Sequence, residues 1–234
     1  MQVLSSNTIS DALLVSIPRL ASILPPDILE ALIAARDRET HERAKIVLDQ
    51  LVLNAQIANE DHVPICQDTG TVWLCLEVGP DIALNANVFS KVDQSVAAGF
   101  INSKLRKSVV RDALFDRTNT GDNTPAFCEL RLVDEPGVAR LHMMLKGGGS
   151  DNASRVVMLT PNAGKQGVID TVLSCVEEKA ANACPPLVVG VGVGGTFDLA
   201  PALAKEALLR PLGTPNPDPE AALLERELLP ELNR

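Results

Sequence analysis

Two cysteines of this chain stand where a structural cysteine has little reason to be. Cys66 lies in Ile65-Cys66-Gln67-Asp68-Thr69-Gly70, a polar stretch with a carboxylate two residues away. Free cysteine otherwise behaves mostly as a small buried hydrophobe. Cys184 lies in Ala181-Asn182-Ala183-Cys184-Pro185-Pro186, and a Cys-Pro step recurs among iron–sulfur ligands. Cys75 and Cys128 fall in strand patterns and Cys175 in a helical one, so these three read as core residues. Five cysteines at wide spacings, with no Cys-x-x-Cys pair, argue against a disulfide framework and against a zinc ribbon or finger.

Three glycine-bearing loops accompany these thiols: Cys66–Gly70, Lys146–Asn152 and Gly190–Thr196. Glycine lets backbone approach a ligand closely and reach positive φ, and successive N–H groups in such loops form anion-binding concavities. Each loop alone also reads as a tight turn; three together suggest a shared pocket for an anion. Arg106, Lys107 and Arg111 supply positive charge, either as a solvated basic edge or as a bidentate clamp on a carboxylate. Gly190–Gly195 formally matches G-x-G-x-x-G, but a dinucleotide fold needs a second parallel strand after the helix, and the chain turns proline-rich there instead. His41, His62 and His142 show no metal-ligand spacing.

The elements that must position these residues follow from periodicity. Residues 8–60 read as helical, with Pro25-Pro26 dividing an earlier from a later helix. Residues 71–78 read as a strand and 87–104 as a helix, while 105–125 form a long polar, turn-rich stretch of the kind that is usually functional or disordered. Strands at 126–133 and 138–145 flank Asp134-Glu135-Pro136-Gly137, which fits a hairpin loop. A helix at 166–181, a short buried strand at 187–191, a helix at 197–210 and a last amphipathic helix from 220 complete the chain. The expected fold is mixed α/β (α+β): one domain over residues 1–234, with a helical arm at 1–62 followed by a mixed-sheet body with flanking helices.

Composition narrows the function classes. The chain has 234 residues, a net charge of −9, one Trp, five Phe and no Tyr. An acidic chain poor in aromatics is a weak candidate for nucleic acid or anionic lipid. No run of about 18 apolar residues and no basic, apolar leader is seen, so a cytoplasmic protein with no membrane partner is expected.

The motifs in order resemble class I, iron–sulfur-dependent fumarate hydratases. They are Pro64-Ile65-Cys66-Gln67-Asp68-Thr69-Gly70-Thr71, Leu105-Arg106-Lys107-Ser108-Val109-Val110-Arg111-Asp112, Asn119-Thr120-Gly121-Asp122-Asn123-Thr124-Pro125, Lys146–Asn152, and Cys184-Pro185-Pro186 with Gly190–Thr196. Tartrate dehydratase α subunits share the architecture; the intact Cys-Gln-Asp-Thr-Gly and Asn-Thr-Gly-Asp-Asn runs look closer to the fumarate hydratases. The resemblance implies a hydro-lyase that interconverts malate and fumarate at a 4Fe–4S cluster with one open iron. It also implies Cys66 and Cys184 as cluster ligands, Gln67 and Asp68 facing substrate with Asp68 as the catalytic residue, Arg106 on a substrate carboxylate, the Gly149 amide on another oxygen, and Lys146 for charge balance. A third ligand cysteine has no counterpart among the five present. The expectation is therefore a chain truncated at its C-terminus that needs a β subunit or further domain, assembles as a dimer on a small dicarboxylate, and is inactive alone. A truncated, non-catalytic paralogue without its own cluster is the competing expectation.

Overall fold

A computed structural model describes residues 2–234. The chain forms two compact units, one running to Gly148 and one from Gly149 to Arg234.

In the first unit a short strand β1 (Gln2–Leu4) pairs in parallel with β3 (Ile82–Leu84). Helix α1 (Ser6–Ser22) starts at Ser5, whose hydroxyl accepts from the Thr8 amide at 3.3 Å and so satisfies one orphan donor of the first turn. Ile9, Leu13, Ile17 and Ala21 recur every four residues and are all buried, a core stripe. The stripe packs on α4 (Val92–Asn102), where Gly99 admits Ile17: a Cβ there would sit 2.9 Å from Ile17 Cδ1. By length and hydropathy alone, Ser6–Arg38 would suffice to cross a membrane, contrary to the sequence expectation. The helix breaks after Ser22, however, and α1 spends its apolar stripe on the protein core.

The expected break at Pro25-Pro26 is present: α2 (Pro26–Arg38) begins with proline in its first turn. A second break follows. The Glu39 carboxylate accepts from the Thr40 and His41 amides at 2.8 and 2.7 Å before α3 (Glu42–Asp61) begins, so residues 8–60 hold three helices rather than two.

The body is a three-stranded mixed sheet in the order β4-β2-β5, with β2 (Thr71–Val78) central, β4 (Phe127–Leu132) parallel to it and β5 (Ala139–Lys146) antiparallel. The expected hairpin between β4 and β5 is therefore absent. β2 is buried on both faces, as its near-continuous apolar run allows, and it takes one neighbour on each edge. Asp134–Gly137 instead passes the end of β2, where Gly79 donates to Val138 O at 2.8 Å and a Cβ on Gly79 would meet Glu135 O at 2.1 Å. Val72, Leu74, Leu76 and Val78 join α1 and α4 in the core. On the other face Trp73, Cys75 and Glu77 are also buried. Trp73 Nε1 donates to Glu129 at 2.7 Å, and Glu77 gathers Arg140 (2.7 Å), His142 (3.1 Å) and Arg131 (3.7 Å). Cys128, expected in the core, is exposed on edge strand β4; partial burial of its thiol and the Asp93 carboxylate still push its pKa up to about 11.

The second unit contains α6 (Gly164–Lys179), α7 (Leu199–Ala207) and α8 (Pro219–Leu232), with Val172, Ala222 and Leu228 buried. A short helix, α5 (Gly148–Asn152), follows β5. The strand expected at 187–191 does not form. Gly190 and Gly192 lie against α7, where added Cβ atoms would meet Ala204 O at 2.2 Å and Ala200 O at 2.1 Å, but the segment has no ladder partner among the described residues and Val188 and Val189 are exposed. Val156–Leu159 is likewise apolar, exposed and outside regular structure. Hydrogen exchange should expose this difference: amides of 156–159 and 187–193 exchange at nearly unprotected rates, while those of β2 are the last to exchange. Strong protection of either segment in the isolated chain would contradict it.

Candidate active site

The Cys66 loop is held from both sides within the first unit. α3 ends at His62 in the left-handed conformation (φ 54°), which turns the chain out of the helix toward Val63-Pro64. Ile65 is then pinned twice: its amide donates to Ala21 O at 2.8 Å at the end of α1, and Asn54 Nδ2 of α3 donates to its carbonyl at 2.8 Å. Immediately beyond this anchor come the exposed Cys66 and Gln67. The Cys66 sulfur accepts from the Asp68 amide at 3.4 Å and donates to Gln67 Oε1 at 3.3 Å. It opens on a hollow lined by Leu20, Ala21, Ile65, Asp68, Thr69 and Leu145.

Asp68 is a clasp. Its Oδ1 accepts from Gly70 N at 3.2 Å and its Oδ2 from Gly148 N at 2.9 Å, so one carboxylate closes its own turn and ties that turn to the chain leaving β5. Gly70 takes φ +70°, and a Cβ there would lie 2.2 Å from Lys146 O; only glycine suits both the angle and the approach. The buried Thr69 hydroxyl donates to Arg106 O at 2.6 Å. Arg106 returns a long bond, Nη1 to Gln67 O at 3.4 Å. Of the residues expected at the site, the structure thus brings together Cys66, Gln67, Asp68 and Arg106. Lys146 ends β5 opposite Thr71. Arg111 instead reaches Asp116 at 4.0 Å on an exposed turn, the solvated-edge reading rather than the clamp.

The polar stretch 105–125 is ordered by its own side chains. Val110 bridges to Asn119, Asn119 Nδ2 donates to Lys107 O at 3.0 Å, and Asp112, Asp116 and Asp122 each accept from nearby backbone amides. Those bonds favour the charged carboxylates and lower all three pKa values: Phe115 and Leu114 amides act on Asp112, Thr118 on Asp116 and Thr124 on Asp122.

Cys184 and Gly149 belong to the second unit. Cys184 is exposed and left-handed (φ 58°) at the end of a 3₁₀ turn, Ala180–Ala183. Gly149 lies against that turn: a Cβ would sit 2.6 Å from Asn182 O. Gly149 and the turn that leads into Cys184 are therefore in contact. Of the other cysteines, Cys75 is buried in β2 and Cys175 Sγ donates to Ala153 O at 3.4 Å. Among the described residues no three His, Cys, Asp or Glu side chains are grouped to hold a metal ion. The chemistry of the Cys66 loop by itself suits an iron–sulfur ligand: an exposed thiol that receives a backbone N–H on sulfur, an interaction that tunes such clusters.

Two residues inside the quoted motifs have roles that residue type alone does not disclose. Thr69 carries Arg106, and Asn123, fully buried, joins the two loops. A fully buried polar residue must find partners, but which ones is a property of the fold.

A family model described as Fumarate hydratase (Fumerase) matches residues 11–234. The chain is 36% identical over 233 residues to a putative L(+)-tartrate dehydratase subunit alpha of Methanocaldococcus jannaschii, covering 96% of this chain and 80% of that protein. It is 34% identical over 214 residues to the L(+)-tartrate dehydratase subunit alpha of Escherichia coli O157:H7, covering 90% of this chain and 70% of that one.

Proposed function

The chain belongs to the fumarate hydratase (Fumerase) family, and from that premise we propose that it is the α-type chain of a hydro-lyase dehydrating malate to fumarate. A hydro-lyase of this family removes a hydroxyl and a hydrogen from adjacent carbons; a C=C bond forms, water leaves, and no electron is transferred. The observation that carries the reading is the meeting of Cys66, Gln67, Asp68 and Arg106 at one junction of two loops. The names of the relatives favour a second reading, L(+)-tartrate as substrate. Both are four-carbon hydroxydicarboxylates.

The proposed roles follow from the chemistry of each group. Cys66 and Cys184 would hold a 4Fe–4S cluster through two of its thiolate bonds. When bound, such a cluster supplies an open iron as Lewis acid for the departing hydroxyl. The Arg106 guanidinium offers two parallel donors to one substrate carboxylate. Gln67 stands beside the cluster ligand with an amide that can donate to and accept from the substrate. Asp68 is the group for holding or relaying the proton from the carbon next to a carboxylate, and its two backbone amide bonds keep it aimed. The Gly149 amide would meet a further substrate oxygen. The relatives are α subunits by name, so a companion chain is part of the proposal. It would supply what the two thiols lack.

Anaerobic reconstitution with iron and sulfide, with and without a β-type companion chain, tests this. With the companion present, visible cluster absorption, iron near four per site and dehydration of malate are expected. A tartrate rate exceeding the malate rate would select the second reading. Full turnover of either acid with no iron bound would refute both.

A further inference from the structure

Asn123 is fully buried and takes φ 68°, a conformation that asparagine tolerates better than most residues. Its carboxamide is used at both ends. Oδ1 accepts from Ser108 N at 2.7 Å, and Nδ2 donates to Gly70 O at 2.9 Å. Its own amide donates to Thr120 Oγ1 at 3.2 Å, which fixes it within the 119–124 turn. The two carboxamide partners belong to different loops. Ser108 is two residues after Arg106, and Gly70 two residues after Asp68. The bond from Thr69 Oγ1 to Arg106 O ties the same two loops a second time. The orientation of the amide is set by its partners: turned over, it would face carbonyl to carbonyl and N–H to N–H.

Resting on the reading of Asp68 and Arg106 as substrate groups, we propose that Asn123 is a positioning residue of this site. Its carboxamide sets the separation of the Asp68 carboxylate and the Arg106 guanidinium, and through it the distance from Asp68 to the substrate carbon once Arg106 holds a carboxylate. Asn123 touches no substrate. The N123D substitution keeps an acceptor for the Ser108 amide but sets a carboxylate oxygen against Gly70 O. The N123G substitution allows the positive φ and braces neither loop.

The test uses the assembled enzyme with its companion chain. N123D and N123G are compared with R106A and with a core control, V96A, whose side chain is buried in α4. Iron content, thermal midpoint, kcat and KM for malate, and the inhibition constant of the unreactive dicarboxylate succinate are measured. At unchanged iron content, N123D and N123G are expected to lower kcat for malate about 10-fold while KM and the succinate constant stay within about twofold, so that the ratio of kcat to dicarboxylate affinity falls. V96A leaves the ratio unchanged whatever it does to the midpoint. Because N123G accommodates the backbone angle, it serves if N123D folds poorly. If both Asn123 variants lose midpoint and activity together with the ratio intact, as V96A does, the positioning role is overturned. If R106A leaves KM unchanged, the site reading itself fails, and this inference with it.

Discussion

Replacing Gly70 with alanine is expected to cost about 4 kcal/mol of stability and to abolish turnover in the assembled enzyme. Two separate penalties meet at this position. A non-glycine residue at φ +70° is strained by roughly 1–2 kcal/mol. The new methyl would also sit 2.2 Å from Lys146 O, a backbone atom that cannot move without disturbing the Thr71–Lys146 register of β2 and β5. Strain of that size places the substitution among the few that exceed ordinary core changes. For a chain of this length it corresponds to a fall in Tm of about 10 °C. Activity suffers by another route. Gly70 N closes the Asp68 turn and Gly70 O receives Asn123, so the shift that relieves the clash releases the Asp68 carboxylate and the tie to the Arg106 loop together. The single tryptophan, Trp73, is buried three residues away in β2 and gives a local fluorescence readout of unfolding. An alanine variant whose Tm matches that of the wild type would show that the loop does not hold this conformation.

Much of this was visible in the residues, and the remainder is non-local. The period of four from Ile9 to Ala21 marks α1, and the β-branched and apolar run at 71–78 marks β2, because each pattern is a direct consequence of local geometry. Strand order is not: β4 and β5 are neighbours in sequence with a turn-like link between them, and they separate because β2 needs a neighbour on both edges. The apolar run 187–191 has strand composition without a ladder partner in the described structure, so composition alone misjudges it. At the site, residue type and setting mark Cys66 and the Arg106 edge as candidates, while Gln67 and Asp68 enter through the resemblance of their motif to fumarate hydratases. That Asp68 is held by Gly148 from 80 residues away, and that Asn123 braces two loops, depends on tertiary contacts no local pattern encodes.

The second large effect concerns Glu77, which stands beside no part of the site. It is a carboxylate in the middle strand of the sheet, 8% exposed, with Arg140, His142 and Arg131 around it. Burial alone would raise its pKa; the bonds and charges of His142 and Arg140 outweigh that and hold it below its ordinary 4.5. A depressed carboxylate pKa contributes stability above the unfolded-state value, and that contribution is lost as pH falls through the folded value. The wild-type chain should therefore lose stability as pH drops below about 4.5, whereas E77Q, which keeps the shape and has no charge to titrate, should show a flatter profile over the same window. At pH 7 the variant removes the buried carboxylate that Arg140 faces. Breaking a fully buried pair costs about 3–5 kcal/mol. The Arg140 side chain is 49% exposed and regains water, which discounts the loss to about 2–3 kcal/mol, or roughly 5–10 °C in Tm. Urea denaturation of both proteins from acid to neutral pH, followed at Trp73, separates the two parts of the effect. Parallel pH profiles for wild type and E77Q would mean that Glu77 is already neutral in the fold and that its cationic neighbours are balanced elsewhere.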